Sequence, residues 1–112
     1  MRNGLLIDYE WCTGCHSCEV ACKEEHGYGV GEWGIHILED GLWQVGDDPH
    51  NWVWNHIPTP SKLCDLCADR VSAGREPTCV HHCLAQVMKF GPIDELVEEM
   101  DKKPNQVLFV PR

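Results

Sequence analysis

Short apolar runs broken by polar residues outline this chain, and each run is sized for a small element. Behind the first group of cysteines, residues 20–25 read as a short helix. Residues 33–39 read as a strand, Asp40-Gly41 as a two-residue hairpin turn, and residues 42–45 as the returning strand. Asp47, Asp48 and Pro49 mark a turn or loop, after which residues 52–57 make a third strand ended by Pro58 and Pro60. Residues 92–103 follow helix logic, with Pro92 near the first turn, acids early, and Lys102 and Lys103 closing the end before Pro104. Ile93, Leu96, Val97 and Met100 then share one apolar face, which reads as packing. Residues 106–110 are a final strand or an arm reaching a partner. No linker or low-complexity tract interrupts the chain, so residues 1–112 read as one domain.

Composition changes the picture in one respect. Hydrophobic residues make up 43% of the 112 positions, but eight of them are cysteines, which leaves a thin apolar supply for a core. Small folds of this kind borrow stability from disulfides, metals or a partner. Nine Lys and Arg against eighteen Asp and Glu give a net charge of −9, which repels phosphate backbones and argues against nucleic-acid binding. The longest apolar runs, residues 5–7 and 107–110, fall far short of a membrane span, so direct membrane insertion is not expected. Asp8 ends the first of them at once, so no secretory signal is read, and a twin-arginine pair is absent. The expected location is the cytoplasm, where dense cysteines mean metal more often than disulfide; export bound to a partner stays compatible.

The cysteines fall into two quartets. The first is Cys12, Cys15, Cys18 and Cys22; the second is Cys64, Cys67, Cys79 and Cys83. Three thiolates at successive two-residue spacings wrap one corner of an iron–sulfur cube, and the fourth is carried off to a neighbouring cube, as in two-cluster ferredoxins. Zinc sites take cysteines as isolated pairs and have no use for a third so soon. The expected cofactors are two 4Fe–4S clusters. One takes Cys12, Cys15, Cys18 and Cys83; the other takes Cys22, Cys64, Cys67 and Cys79. The alternative, in which each quartet closes on its own cluster, is disfavoured because Cys18 and Cys22 diverge where the loop becomes helix.

The run from Cys12 through Cys15, His16, Cys18 and Cys22 to His26 resembles the first cysteine motif of the iron–sulfur electron-transfer subunits of the dimethyl sulfoxide reductase (molybdopterin oxidoreductase) family. Cys64, Cys67, Arg70, Gly74, Pro77, Cys79 and Cys83, with Phe90-Gly91-Pro92 after them, resemble that family's last motif. The likeness covers about two-thirds of the chain, and the family's two middle motifs are missing. It implies an α+β fold: a small bacterial-type two-cluster ferredoxin-like core with an inserted β-hairpin segment (about 27–62) and a C-terminal helix. One departure is Leu84, where the family usually has proline after its fourth cysteine.

The resemblance implies a subunit relaying single electrons to or from a large molybdenum or tungsten pterin catalytic subunit, with further redox subunits compatible. No catalytic site is expected in the chain itself, which carries no Ser/His/Asp pattern, Walker loop or GxGxxG. A stand-alone two-cluster ferredoxin and a zinc-stabilised interaction module are the alternatives. Trp33, Trp43, Trp52 and Trp54 either roof the cluster core or form a docking surface. Lys23, Lys62, Arg70 and Arg75 lie in or beside the cysteine motifs, where they offset anionic clusters or pair with Asp65, Asp69 or Glu76. His16, His81 and His82 lie among the cysteines, where hydrogen bonding to a cluster sulfur or a protein contact is expected rather than ligation.

Overall fold

The computed structural model describes residues 2–111. The chain runs β1 (Asn3–Asp8), α1 (Ser17–His26), β2 (Ile35–Gln44), β3 (Trp52–Pro60), α2 (Ala68–Ser72), α3 (Thr78–His82), β4 (Met88–Pro92), α4 (Ile93–Met100) and β5 (Gln106–Phe109). It is α+β, with the inserted hairpin and C-terminal helix that the resemblance implied.

Leu5, Leu6 and Ile7, read from sequence only as a short apolar run, are the centre of the main sheet. β1 lies between β4 and β5, antiparallel to both, in the order β4-β1-β5. These three side chains are at most 1% exposed. A strand covered on both faces is apolar at every position, so no alternation betrays it. Leu5 and Ile7 face a core shared with Cys18, Cys22, Cys79 and Cys83. Gly4 faces the opposite side, towards Leu96 of α4.

α4 packs against all three strands of the sheet. Leu96 is buried, Ile93 and Met100 are half-buried, and Val97 is exposed, so the packing face is narrower than its spacing suggested. Each buried leucine contributes about 1.5–3 kcal/mol.

The second sheet corrects the expected hairpin. β2 runs straight through Asp40-Gly41, and the reversal comes at residues 45–51, where Val45 N–H donates to the Asn51 carbonyl at 2.8 Å. Asp48 makes that turn: its side chain accepts from His50 N–H at 2.9 Å and its carbonyl from Asn51 N–H at 3.2 Å. Gly41 instead sits at an irregularity in the β2–β3 pairing, where a side chain would collide with the backbone of Val53 and Trp54. β3 also continues through Pro58 and Pro60, which pair with Ile37 and Ile35. In a two-stranded sheet both strands are edges, so prolines lacking N–H are tolerated.

Candidate metal centre

The two cysteine loops are wound alike. Gly14 and Leu66, each two residues past the first cysteine of its loop, are left-handed (φ 71° and 59°), as are His16 (64°) and Cys67 (52°) just before α1 and α2. Left-handed residues that are not glycine cost free energy, so these loops are held in shape by what surrounds them. In both loops the winding hands the chain to a helix. α1 begins at Ser17, earlier than sequence suggested, so Cys18 and Cys22 lie one turn apart on one face.

Chain order and spatial order then part. Cys22 has Cys67 and Cys64 as its charge neighbours, while Cys12 and Cys18 both have Cys83. A single small cavity is lined by Cys22, Cys64, Cys67 and Cys79 together, walled by Leu5, Ile35 and Pro77. Among the described residues, buried Asp65 Oδ1 has no hydrogen-bond partner, and Asp65 lines that same cavity. Cys18 also stands near Cys79, so the two groups of four meet between α1 and α3. None of the eight is joined in a disulfide. Among the described residues, no three His, Cys, Asp or Glu side chains converge on a point as a single ion requires. A wider group bridging four thiolates fits this donor set.

Burial dominates the thiol chemistry. It pushes Cys18 up to about 12, with Glu19 and Cys12 adding to the rise, and Cys22 up to about 11, with Cys67 and Cys64 adding to it. Cys79 is raised well above the ordinary thiol value for the same reason. Such groups stay protonated at neutral pH unless a metal takes the proton's place. Cys15, the one exposed member, is lowered instead by hydrogen bonds from the Ser17 hydroxyl and N–H. Backbone N–H groups of Gly14, Glu19, Ile35 and Thr78 reach Cys12, Cys18, Cys22 and Cys67. Val87 N–H reaches Cys83 Sγ at 3.5 Å. Leu84, in the family's proline position, is exposed and leaves that contact intact.

The other candidates are dispersed. Trp43, Trp52 and Trp54 stand exposed on the β2–β3 hairpin and do not roof the cysteines. Trp54 and Trp52 satisfy their indole N–H groups on Glu39 (2.6 Å) and the Pro49 carbonyl (2.9 Å). Trp33 is half-buried, stacked on His36, with the Lys23 ammonium 3.8 Å from its ring centre. Arg70 pairs with an acid other than those expected: it lies 3.8 Å from Glu25, bonds Glu76 through the backbone carbonyl, and favours the Cys67 thiolate. His16 binds the Glu19 carboxylate, and His81 lies 3.6 Å from Glu76. Among the described residues, the histidine that reaches a cysteine sulfur is His26, 3.2 Å from Cys67 Sγ. Sequence reasoning passed over it, although its place four residues after Cys22 was a usable signal.

Two family models match the chain: a 4Fe–4S dicluster domain over residues 45–93 and a 4Fe–4S binding domain over residues 4–24. With eight cysteines, they identify two 4Fe–4S clusters as the cofactors. The protein is 27% identical to one of the chains of the anaerobic dimethyl sulfoxide reductase of Escherichia coli, over 83% of its own length and 75% of that relative's. That alignment runs over 153 positions, more than the 112 residues here, so the relative carries residues this chain lacks. A putative iron–sulfur subunit of the dimethyl sulfoxide reductase of Halobacterium salinarum is 34% identical over 80% of this chain and 31% of its own. The arsenate respiratory reductase iron–sulfur subunit of a Shewanella species is 35% identical over 73% and 32%.

Proposed function

Because the chain is a member of the iron–sulfur subunits of the dimethyl sulfoxide reductase family, we propose that it passes electrons singly between its two clusters and a large molybdenum or tungsten pterin catalytic subunit. In this reading, Cys12, Cys15, Cys18 and Cys83 hold one cluster, and Cys22, Cys64, Cys67 and Cys79 hold the other. The observation that carries it is the cavity lined by Cys22 with Cys64, Cys67 and Cys79, in which one quartet lends a thiol to the other. Each bound cluster supplies a one-electron acceptor and donor. The protein's own work is to hold thiolates in an apolar core, place backbone N–H groups on them, and keep the two groups of four close to each other at Cys18 and Cys79.

Residues 1–112 are read as one dicluster domain with an insertion over about 27–62. Support comes from the β2–β3 hairpin, which forms a separate sheet between the quartets. The exposed rings of Trp43, Trp52 and Trp54 offer contact area to the catalytic partner, and further redox subunits fit the same scheme. No helix among the described residues is long and apolar enough to cross a membrane. Dense cysteines free of disulfides favour a reducing compartment, so the cytoplasm is the proposed location, with export on a partner compatible.

Anaerobic preparation should give about eight irons and eight labile sulfides per chain. Cys22→Ser should alter the EPR signal of the cluster held by Cys64, Cys67 and Cys79, and Cys83→Ser the other. Loss of the opposite signals would refute the exchange of ligands. Co-purification with a pterin-containing subunit supports the relay, whereas a lone monomer that reduces varied acceptors supports a stand-alone ferredoxin.

A further inference from the structure

Cys18, Cys22 and His26 recur every four residues along α1, which sets them on one stripe of the helix. The helix ends immediately after the imidazole. Gly27 turns left-handed (φ 66°) and donates its N–H to the Lys23 carbonyl at 2.8 Å, a C-terminal cap that reverses the chain. Tyr28 is thereby folded back onto His26, with ring centres 5.4 Å apart and planes within 21°. The Tyr28 hydroxyl donates to the Leu63 carbonyl at 3.0 Å, just before Cys64, so the stacked pair is tied to the second cysteine loop.

This arrangement aims the imidazole at a sulfur. His26 Nε2 lies 3.2 Å from Cys67 Sγ, and His26 lines the cavity shared by Cys22, Cys64, Cys67 and Cys79. A metal-bound thiolate only accepts hydrogen bonds, so at this distance the ring must donate. Reduction adds negative charge to the cluster and its sulfurs, and a donor aimed at one of them stabilises the reduced form more than the oxidised form.

We propose that His26 donates its Nε2–H to Cys67 Sγ and raises the reduction potential of the cluster held by Cys22, Cys64, Cys67 and Cys79. His26 is thus a tuning residue that helps settle the relayed electron on that cluster. The inference rests on the two-cluster relay and on Cys67 being a ligand. Other charges also bear on Cys67. Arg70 acts in the same direction as His26, and Asp65 and Glu25 act against it. The donor is distinguished by being a directed contact that one substitution removes.

The test is an EPR-monitored redox titration of the reconstituted full chain, the relevant cluster being the one perturbed in Cys67→Ser. His26→Phe keeps a ring against Tyr28 and deletes the N–H; His26→Gln restores a donor. In His26→Phe the reduced-to-oxidised ratio of that cluster at fixed potential should fall about tenfold, which is 59 mV for one electron, with the other cluster unchanged. His26→Gln should stay within about threefold of the wild type. Iron-containing protein in which His26→Phe moves neither cluster, or both equally, overturns the role of His26 and leaves the relay standing. Protein without iron overturns both. If His26→Phe fails to assemble, pulsed EPR on chain labelled with nitrogen-15 histidine decides. A nitrogen coupling lost in His26→Gln supports the contact, and one that persists there, or is absent from the wild type, refutes it.

Discussion

Glu19 Oε2 accepts the backbone N–H of Ile37 at 2.9 Å, joining α1 to the inserted hairpin. The carboxylate is 3% exposed, its other oxygen is engaged by the His16 ring, and it adjoins Cys18 in sequence. One buried acid therefore fastens β2 to the helix that carries Cys18 and Cys22. The hairpin is held by this contact as well as by the core packing of Ile35 and Ile37.

Glu19→Ala should leave the buried Ile37 N–H without an acceptor and cost about 1–3 kcal/mol. Glu19→Gln keeps an oxygen in place and should recover most of that loss. Anaerobic unfolding of the cluster-loaded chain, followed by its visible absorbance, measures both. Equal stability in the two variants would show that the contact is idle.

Gly34 has no room for a methyl group. A Cβ there would lie 2.5 Å from Cys22 Sγ and 2.8 Å from the Tyr28 ring. Gly34→Ala should therefore displace Cys22 and cut the iron content from about eight to about four per chain, sparing the other cluster. Gly46→Ala, where nothing lies within 4 Å, should keep its iron despite a strained backbone (φ 60°).

Glu99 is held down to about 2 by hydrogen bonds from Lys102 and Lys89, at 2.8 Å each. Its folded value lies below the unfolded 4.5, so its stabilisation is complete above 4.5 and is lost as pH falls from there towards 2. The urea stability difference between wild type and Glu99→Gln should follow that course. The groups are exposed, so added salt should shrink the difference at every pH. A difference that grows on acidification would reverse the sign of the argument.

Cys18, Cys22, Cys79 and Cys83 belong to the main apolar core, so clusters held as proposed would be structural as well as electronic. Stripping them by anaerobic chelation should collapse the helical circular-dichroism signal and abolish cooperative melting. A metal-free chain that still melts sharply would show that the sheet and α4 suffice alone.

α1 and α4 were legible in the sequence because both follow from local spacing. Cys18 and Cys22 differ by one helical turn, and Ile93 to Met100 carry their own apolar rhythm and start signal. The hairpin was not. Asp40-Gly41 has turn chemistry, but the reversal is decided by the register of Ile35 and Ile37 against Pro60 and Pro58, which fixes the crossing point further along. β1 and β4 escaped because a buried central strand shows no alternation and β4 is only five residues long. Trp43, Trp52 and Trp54 stayed open between roof and docking surface because a ring's type does not say which side of a hairpin water occupies.

Of the eight thiols, only Cys15 stands exposed, with a hydroxyl and an N–H from Ser17 upon it. If Cys15 holds a cluster as proposed, its exposure would make it both an entry for an electron and a weak point against dioxygen. A redox partner seated over Cys15 for rapid exchange would close that entrance to air, so speed of turnover and tolerance of oxygen would rise together on assembly.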